Sequence, residues 1–271
     1  MDTRFNPVLA SGYSSRSQIA RVLTEDWVER ELYCLSCRSE ELEPTRKNTK
    51  SRDFRCRDCS EPYELKSAAR SFGGMVLDGA FETMRSTVLQ GRSPNLLLLE
   101  YDRPSLSVTN LHAVHRGFLT PSEIVPRRAP LPQTARRAGW RGCAINLSAL
   151  PLLARIAIVL RGRPRPPVEV QREYERFAFM IGLPTLSKGW LSDTLSIVER
   201  LPGPGPFRLE ELYDFEEQLV LLHPGNRNIR PKIRQQLQVL VRRGVIRRLE
   251  PGIYERASAG TEGSVRAGRD A

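Results

Sequence analysis

The stretch Asp53-Phe-Arg-Cys56-Arg-Asp-Cys59-Ser-Glu-Pro-Tyr63-Glu64-Leu65-Lys66-Ser67 decides more about the fold than any other part of this 271-residue chain. From Tyr63 to Lys66 apolar and charged residues alternate, the period of a half-buried strand. Residues two apart on a strand share a face, so Glu64 and Lys66 project together while Tyr63 and Leu65 turn to the core. If Cys56–Cys59 caps a hairpin, Asp53-Phe54-Arg55 is the paired strand, and Asp53 comes alongside Glu64. Two carboxylates then converge beside one ammonium.

That set suits metal-dependent phosphodiester hydrolysis. Asp53 and Glu64 offer hard oxygens to Mg²⁺, the ion neutralises charge developing on a phosphate, and Lys66 orients or helps deprotonate the attacking water. The spacing D-x₁₀-E-x-K is the pattern of PD-(D/E)xK nucleases, with Arg52 where that pattern usually has proline. Taken alone E-x-K also occurs on solvated strands. Its weight here comes from the surrounding sequence.

Cys34-Leu-Ser-Cys37 and Cys56-Arg-Asp-Cys59 are two C-x-x-C pairs with 18 residues between them. Two residues between cysteines let a turn point both thiolates at one ion, and four cysteines leave no open coordination position, so the expectation is a structural Zn²⁺. Cys143, beside an apolar run, reads as a core residue.

The 42 Lys and Arg against 31 Asp and Glu give a net charge of +11, which suits a polyanionic partner. No apolar leader and no span of membrane length is visible, so a cytoplasmic protein with no membrane partner is expected. His112, His115 and His223 stand in no H-x-E, HExxH or nucleophile-elbow setting, which disfavours a zinc deaminase or a Ser-His hydrolase.

The periodicity predicts a helix over 17–32, strands at 95–101, 106–114 and 155–160, and a helix over 168–180. Residues 116–141 read as an electropositive loop rich in Pro and Arg, with Arg136 and Arg137 placed to meet DNA and Trp140 set between arginines and glycines. That tryptophan is either an apolar plate at the surface or a core residue. A domain boundary falls near 182–188, giving an α/β domain at 1–183 and a second at 184–256. The second reads as helices at 190–201, 209–222 and 229–243 and a hairpin at 245–248 and 253–256, a winged helix-turn-helix. Beyond Ala257 the tail through Ala271 is too poor in apolar residues to order.

From Asn226 to Arg248 there are eight basic residues and no acidic one. Ile229, Ile233, Leu237, Leu240 and Val241 form the core stripe of the third helix, leaving Arg230, Arg234, Gln235 and Gln238 outward; Asn228 caps it. Arg and Gln read guanine and adenine edges in the major groove. Lys232 belongs to the same surface, and Arg247 and Arg248 in the wing would meet phosphate.

Taken in order, YCLSC, DFRCRDCSEPYELKS, PLPQTARRAGWRGC and IRQQLQVL resemble the DpnI-type methyl-directed restriction endonucleases over about residues 6–254. The resemblance implies a PD-(D/E)xK nuclease domain with a Cys₄ zinc site, joined to a winged helix. It implies catalytic Asp53, Glu64 and Lys66, with Mg²⁺ held by Asp53, Glu64 and the Leu65 carbonyl, and zinc on Cys34, Cys37, Cys56 and Cys59. It also implies a monomer cutting double-stranded DNA at GATC when adenine carries an N6-methyl group, with Trp140 against the methyls. The PGPGP turn, Pro231 in the recognition helix and the tail after Ala257 depart from the family. In GATC the two methylated adenines lie on adjacent base pairs, so a single apolar pocket could sense both methyls. The competing reading is a non-catalytic methyl-DNA-binding regulator in which Asp53, Glu64 and Lys66 are merely solvated.

Overall fold

The computed structural model describes residues 1–46, 52–127 and 129–257. The chain divides into two compact units, Met1–Gly189 and Trp190–Ala271. Arg128 and the tail beyond Ala257 lie outside the described residues.

In the first unit α1 (Arg16–Glu31) ends after Glu31, with Leu32 already extended. It is followed by β1 (Leu42–Pro44), β2 (Phe54–Cys56), β3 (Pro62–Ala68), β4 (Met75–Ala80), α2 (Phe81–Leu89), β5 (Asn95–Asp102) and β6 (Ser107–Val114). Then come β7 (Ile124–Pro126), β8 (Gly142–Asn146), β9 (Arg155–Leu160), β10 (Arg163–Pro164) and α3 (Pro167–Glu175). Among the described residues seven strands form one sheet in the order β1-β2-β3-β5-β6-β9-β10, and β4-β8-β7 form another. The predicted strands are all present, and the run NLLLLEY sits at the centre of the larger sheet, parallel to β3 and antiparallel to β6. A continuous apolar run suits a strand covered on both faces. Trp27 and Val28 of α1, Val170 and Tyr174 of α3, and Leu97, Leu99 and Ile158 of the sheet share one core.

Residues 116–141 are not loop throughout. Two 3₁₀ turns, Arg116–Phe118 and Pro121–Glu123, and β7 occupy its first part; His115 caps the first turn and a Thr120–Glu123 capping box the second. Nor does Arg116 belong to a charged surface. Its guanidinium binds Glu61 at 2.6 and 3.0 Å, and the same carboxylate takes Asn95 at 2.9 Å and the Tyr174 hydroxyl at 2.6 Å. This network joins the end of the second cysteine turn to β5 and α3, and every partner is needed because a buried carboxylate without one is costly.

The division between units falls within α4 (Thr185–Arg200), which starts five residues before the predicted position. The second unit continues with β11 (Phe207–Arg208), α5 (Leu209–Tyr213), α6 (Glu216–Leu222), α7 (Ile229–Arg242), β12 (Ile246–Glu250) and β13 (Ile253–Arg256). The single helix expected at 209–222 is two, broken at Asp214-Phe215. The predicted hairpin gains β11 as a third strand, paired to β13. Ile229, Ile233, Leu237 and Leu240 of α7 are buried as the periodicity demanded, whereas Val241 is half-buried and Gln236 takes a buried position. Asn228 stands at the N-cap, but its side chain makes no capping bond, and the Asn226 carboxamide accepts the Asn228 amide instead.

Candidate functional site

The first cysteine pair lies just before β1 and the second at the end of β2, so the β1-β2-β3 pairing folds them together. The four thiols are, among the described residues, the one group of three or more Cys, His, Asp or Glu ligand atoms lying within 4.8 Å of one another. Cys34 Sγ is 3.6 Å from Cys59 Sγ, and Cys37 Sγ is 3.5 Å from Cys56 Sγ. Burial opposes ionisation of Cys56, yet the amides of Cys59 and Asp58 pointing at its sulfur bring the thiol down to about 7. The donor set fits a closed Zn²⁺ site. Outside it, Gln171 of α3 donates to the carbonyls of both Cys34 and Cys37 at 2.8 Å, and the Tyr63 hydroxyl accepts from the Leu35 amide and lies 3.3 Å from Cys34 Sγ. Bonds of this kind hold ligands in orientation. The tyrosine is on β3, one residue before Glu64, so the metal centre and the acidic strand are mechanically one piece.

Phe54 pairs with Tyr63 and Arg55 with Pro62, and just before that pairing the Asp53 amide donates to the Tyr63 carbonyl at 2.9 Å. Its carboxylate accepts the Leu65 amide at 2.8 Å. Lys66 Nζ donates to Glu64 at 2.7 Å and, equally, to Asp78 of β4 at 2.7 Å. The face of β3 expected to be solvated is thus covered. The Glu64 and Asp78 side chains are only 9% and 5% exposed.

Sequence reasoning missed Asp78, which lies in the stretch MVLDGA, where no apolar-polar alternation marks it. Burial raises Glu64 to about 7 and also raises Asp53. Burial works against the Lys66 ammonium too, but Glu64 and Asp78 outweigh it and hold its pKa above the ordinary lysine value. A lysine held charged orients and neutralises; it does not accept a proton. Three carboxyl groups thus stand against one ammonium, and Glu64 Oε2 and Asp78 Oδ2 are buried without a hydrogen-bond partner among the described residues. The donor chemistry fits a hard divalent cation. Cys143 pairs with Asp78 across the small sheet and is buried, which pushes its thiol up to about 12.

The model of the Dam-replacing family matches residues 1–182, and that of the Dam-replacing HTH domain matches residues 186–256. The chain belongs to the Dam-replacing family. It is therefore a DpnI-type, methyl-directed restriction enzyme acting on DNA, with a helix-turn-helix domain that binds it. Among the described residues no helix is long and apolar enough to cross a membrane.

Two surfaces carry the residues expected from the sequence to meet DNA. In the first unit Trp140 is half-buried, between the two alternatives, with the Arg137 guanidinium 4.5 Å over its ring. A Cβ at Gly142 would lie 3.1 Å from Trp140 Cη2, so glycine there lets the indole fold back on its own strand. Arg136 is exposed. In the second unit Arg230, Arg234, Gln235 and Gln238 are all exposed on α7, as the periodicity required. Their heads are engaged: Arg230 binds Glu216 at 2.7 Å, Arg234 donates to the Tyr213 hydroxyl at 2.8 Å, and Lys232 donates to Gln235 at 2.8 Å. Exposed pairs of this kind are weak and exchange readily for phosphate or a base edge. In the wing Arg247 pairs with Glu255 across the hairpin, while Arg248 is exposed.

Proposed function

We propose that the chain is a Mg²⁺-dependent type II endonuclease of PD-(D/E)xK chemistry that hydrolyses phosphodiester bonds of double-stranded DNA at GATC carrying N6-methyladenine. The observation that supports it is the placement of Asp53, Glu64 and Lys66 together beside the β2-β3 pair, with Asp53 bonded to the Leu65 amide and Lys66 to Glu64. Bound Mg²⁺ would supply charge neutralisation at the scissile phosphate and a bound water. Asp53, Glu64 and the Leu65 carbonyl would hold it. Lys66, kept charged by its carboxylates, orients the attacking water and faces the phosphate. Burial keeps bulk solvent from Glu64. Zn²⁺ on Cys34, Cys37, Cys56 and Cys59 would be structural and hold the β2-β3 hairpin that aligns Asp53 with Glu64.

Trp140, with Arg136 and Arg137, would read the adenine methyls in a nuclease domain spanning 1–183. Asn228, Arg230, Lys232, Arg234, Gln235, Arg247 and Arg248 would serve a winged helix spanning 184–256. The enzyme would act as a monomer in the cytoplasm. Digestion of fully methylated, hemimethylated and unmethylated GATC duplexes with Mg²⁺ tests the reading: cleavage confined to methylated DNA is expected. A methylated duplex bound and left uncut would mark a regulator instead.

Within the winged helix, base and phosphate contacts separate by experiment. Arg234→Ala is expected to cost about 1–3 kcal/mol at the cognate site. Arg247→Ala is expected to weaken all duplexes alike and to lower the slope of log affinity against log salt by about 1. Equal effects on cognate and unrelated duplexes from both substitutions would remove Arg234 from base reading.

A further inference from the structure

Asp78 takes a place at the centre that the D-x₁₀-E-x-K pattern does not contain. It comes from β4, in the smaller sheet, and its carboxylate meets Lys66 Nζ at 2.7 Å with a side chain 5% exposed. The register of β4 against β8 shifts between Asp78 and Ala80, so Gly79 is an extra residue in the ladder, and its amide donates to the same Asp78 oxygen at 2.7 Å. Bulges beside active sites re-aim side chains. Here the bulge supplies both the aim and a fixing bond.

An ammonium has three N–H donors. Glu64 and Asp78 occupy two, which leaves one for water or phosphate. Glu64 is also the carboxylate that a divalent cation would claim. Once it is so engaged, the Lys66 head needs a second anchor, and Asp78 is the acceptor placed to be one. We infer that Asp78 is a positioning residue of the nuclease centre, acting through Lys66: it holds the lysine head in place when Glu64 turns to the metal.

The inference rests on the nuclease reading, and the test keeps the two apart. Single-turnover cleavage of a methylated GATC duplex, Mg²⁺ half-saturation, duplex affinity in Ca²⁺ and the thermal midpoint are measured for the full chain and for Asp78→Ala, Asp78→Asn and Lys66→Ala. Asp78→Ala is expected to slow cleavage by about 10²-fold, the scale for losing one preorganised electrostatic partner. Asp78→Asn, which keeps an acceptor oxygen without the charge, is expected to lose about tenfold. Duplex affinity in Ca²⁺ and Mg²⁺ half-saturation stay at their wild-type values in both.

Wild-type-rate cleavage by Asp78→Ala overturns the inference. So does a rise in Mg²⁺ half-saturation that accounts for the lost rate, because Asp78 would then be a cation ligand. Should Asp78→Ala fail to fold, an unchanged rate in the isosteric Asp78→Asn overturns it. Cleavage by the wild type with loss only in Lys66→Ala removes Asp78 alone, whereas a wild type that leaves methylated DNA intact removes the nuclease reading and this inference together.

Discussion

Lys66→Ala and Asp53→Ala are expected to lower single-turnover cleavage of a methylated duplex by at least about 10²–10³-fold while leaving its binding nearly intact. The reason is local. Asp53 fixes the Leu65 amide and Lys66 bridges Glu64 and Asp78, so neither side chain is on the surfaces assigned to base reading. Losing the ammonium also leaves Glu64 and Asp78 facing each other unneutralised, so part of the effect in Lys66→Ala is repulsion between carboxylates. Lys66→Ala is therefore expected to be less stable than wild type as well, and the thermal midpoint separates the two contributions. Cleavage near the wild-type rate in both variants would return Asp53, Glu64 and Lys66 to the status of ordinary polar residues.

Cys56→Ser is expected to lower zinc content and thermal stability together. A closed thiolate site contributes its binding free energy to folding, and loss of a structural metal belongs among the few mechanisms that exceed about 4 kcal/mol. For a domain of this size that corresponds to a fall of about 10 °C or more in Tm. The centre is tied to the rest of the unit through Gln171 on α3 and Tyr63 on β3, so its collapse should also disturb the strand that carries Glu64. Cleavage should fail along with stability in this variant, in contrast to Asp53→Ala. A variant lacking two of the four cysteines yet keeping one zinc per chain would sink the assignment.

The parts of this protein that were legible in its sequence are those written in local spacing. Two C-x-x-C pairs announce a metal site because the geometry of a two-residue turn is the geometry of ligation. Tyr63-Glu64-Leu65-Lys66 announces a strand with its charges on one face because the strand period is two. The outward residues of α7 follow from a period of 3.6. The Asp214-Phe215 break was invisible for the opposite reason, since the apolar period from Leu209 to Leu222 carries across it with no glycine or proline to mark the stop.

Other features were decided only when distant segments met. Arg116 looked like one more surface arginine until β5 and α3 brought it, Asn95 and Tyr174 around Glu61, which stands 55 residues away from it. Glu64 and Lys66 were expected on the face turned from the core, yet Glu64 is buried and Lys66 meets Asp78 of β4, in a sheet whose strands are drawn from residues 75 to 146. Asp78 acquires its role in the same way. In sequence it is one aspartate in an unmarked strand, and only the pairing of β4 with β8 and the bulge at Gly79 turn it onto Lys66. Local spacing determines which residues share a face; what covers that face, and so which charges are buried and must find partners, is decided by contacts whose free energy exists only in the assembled core.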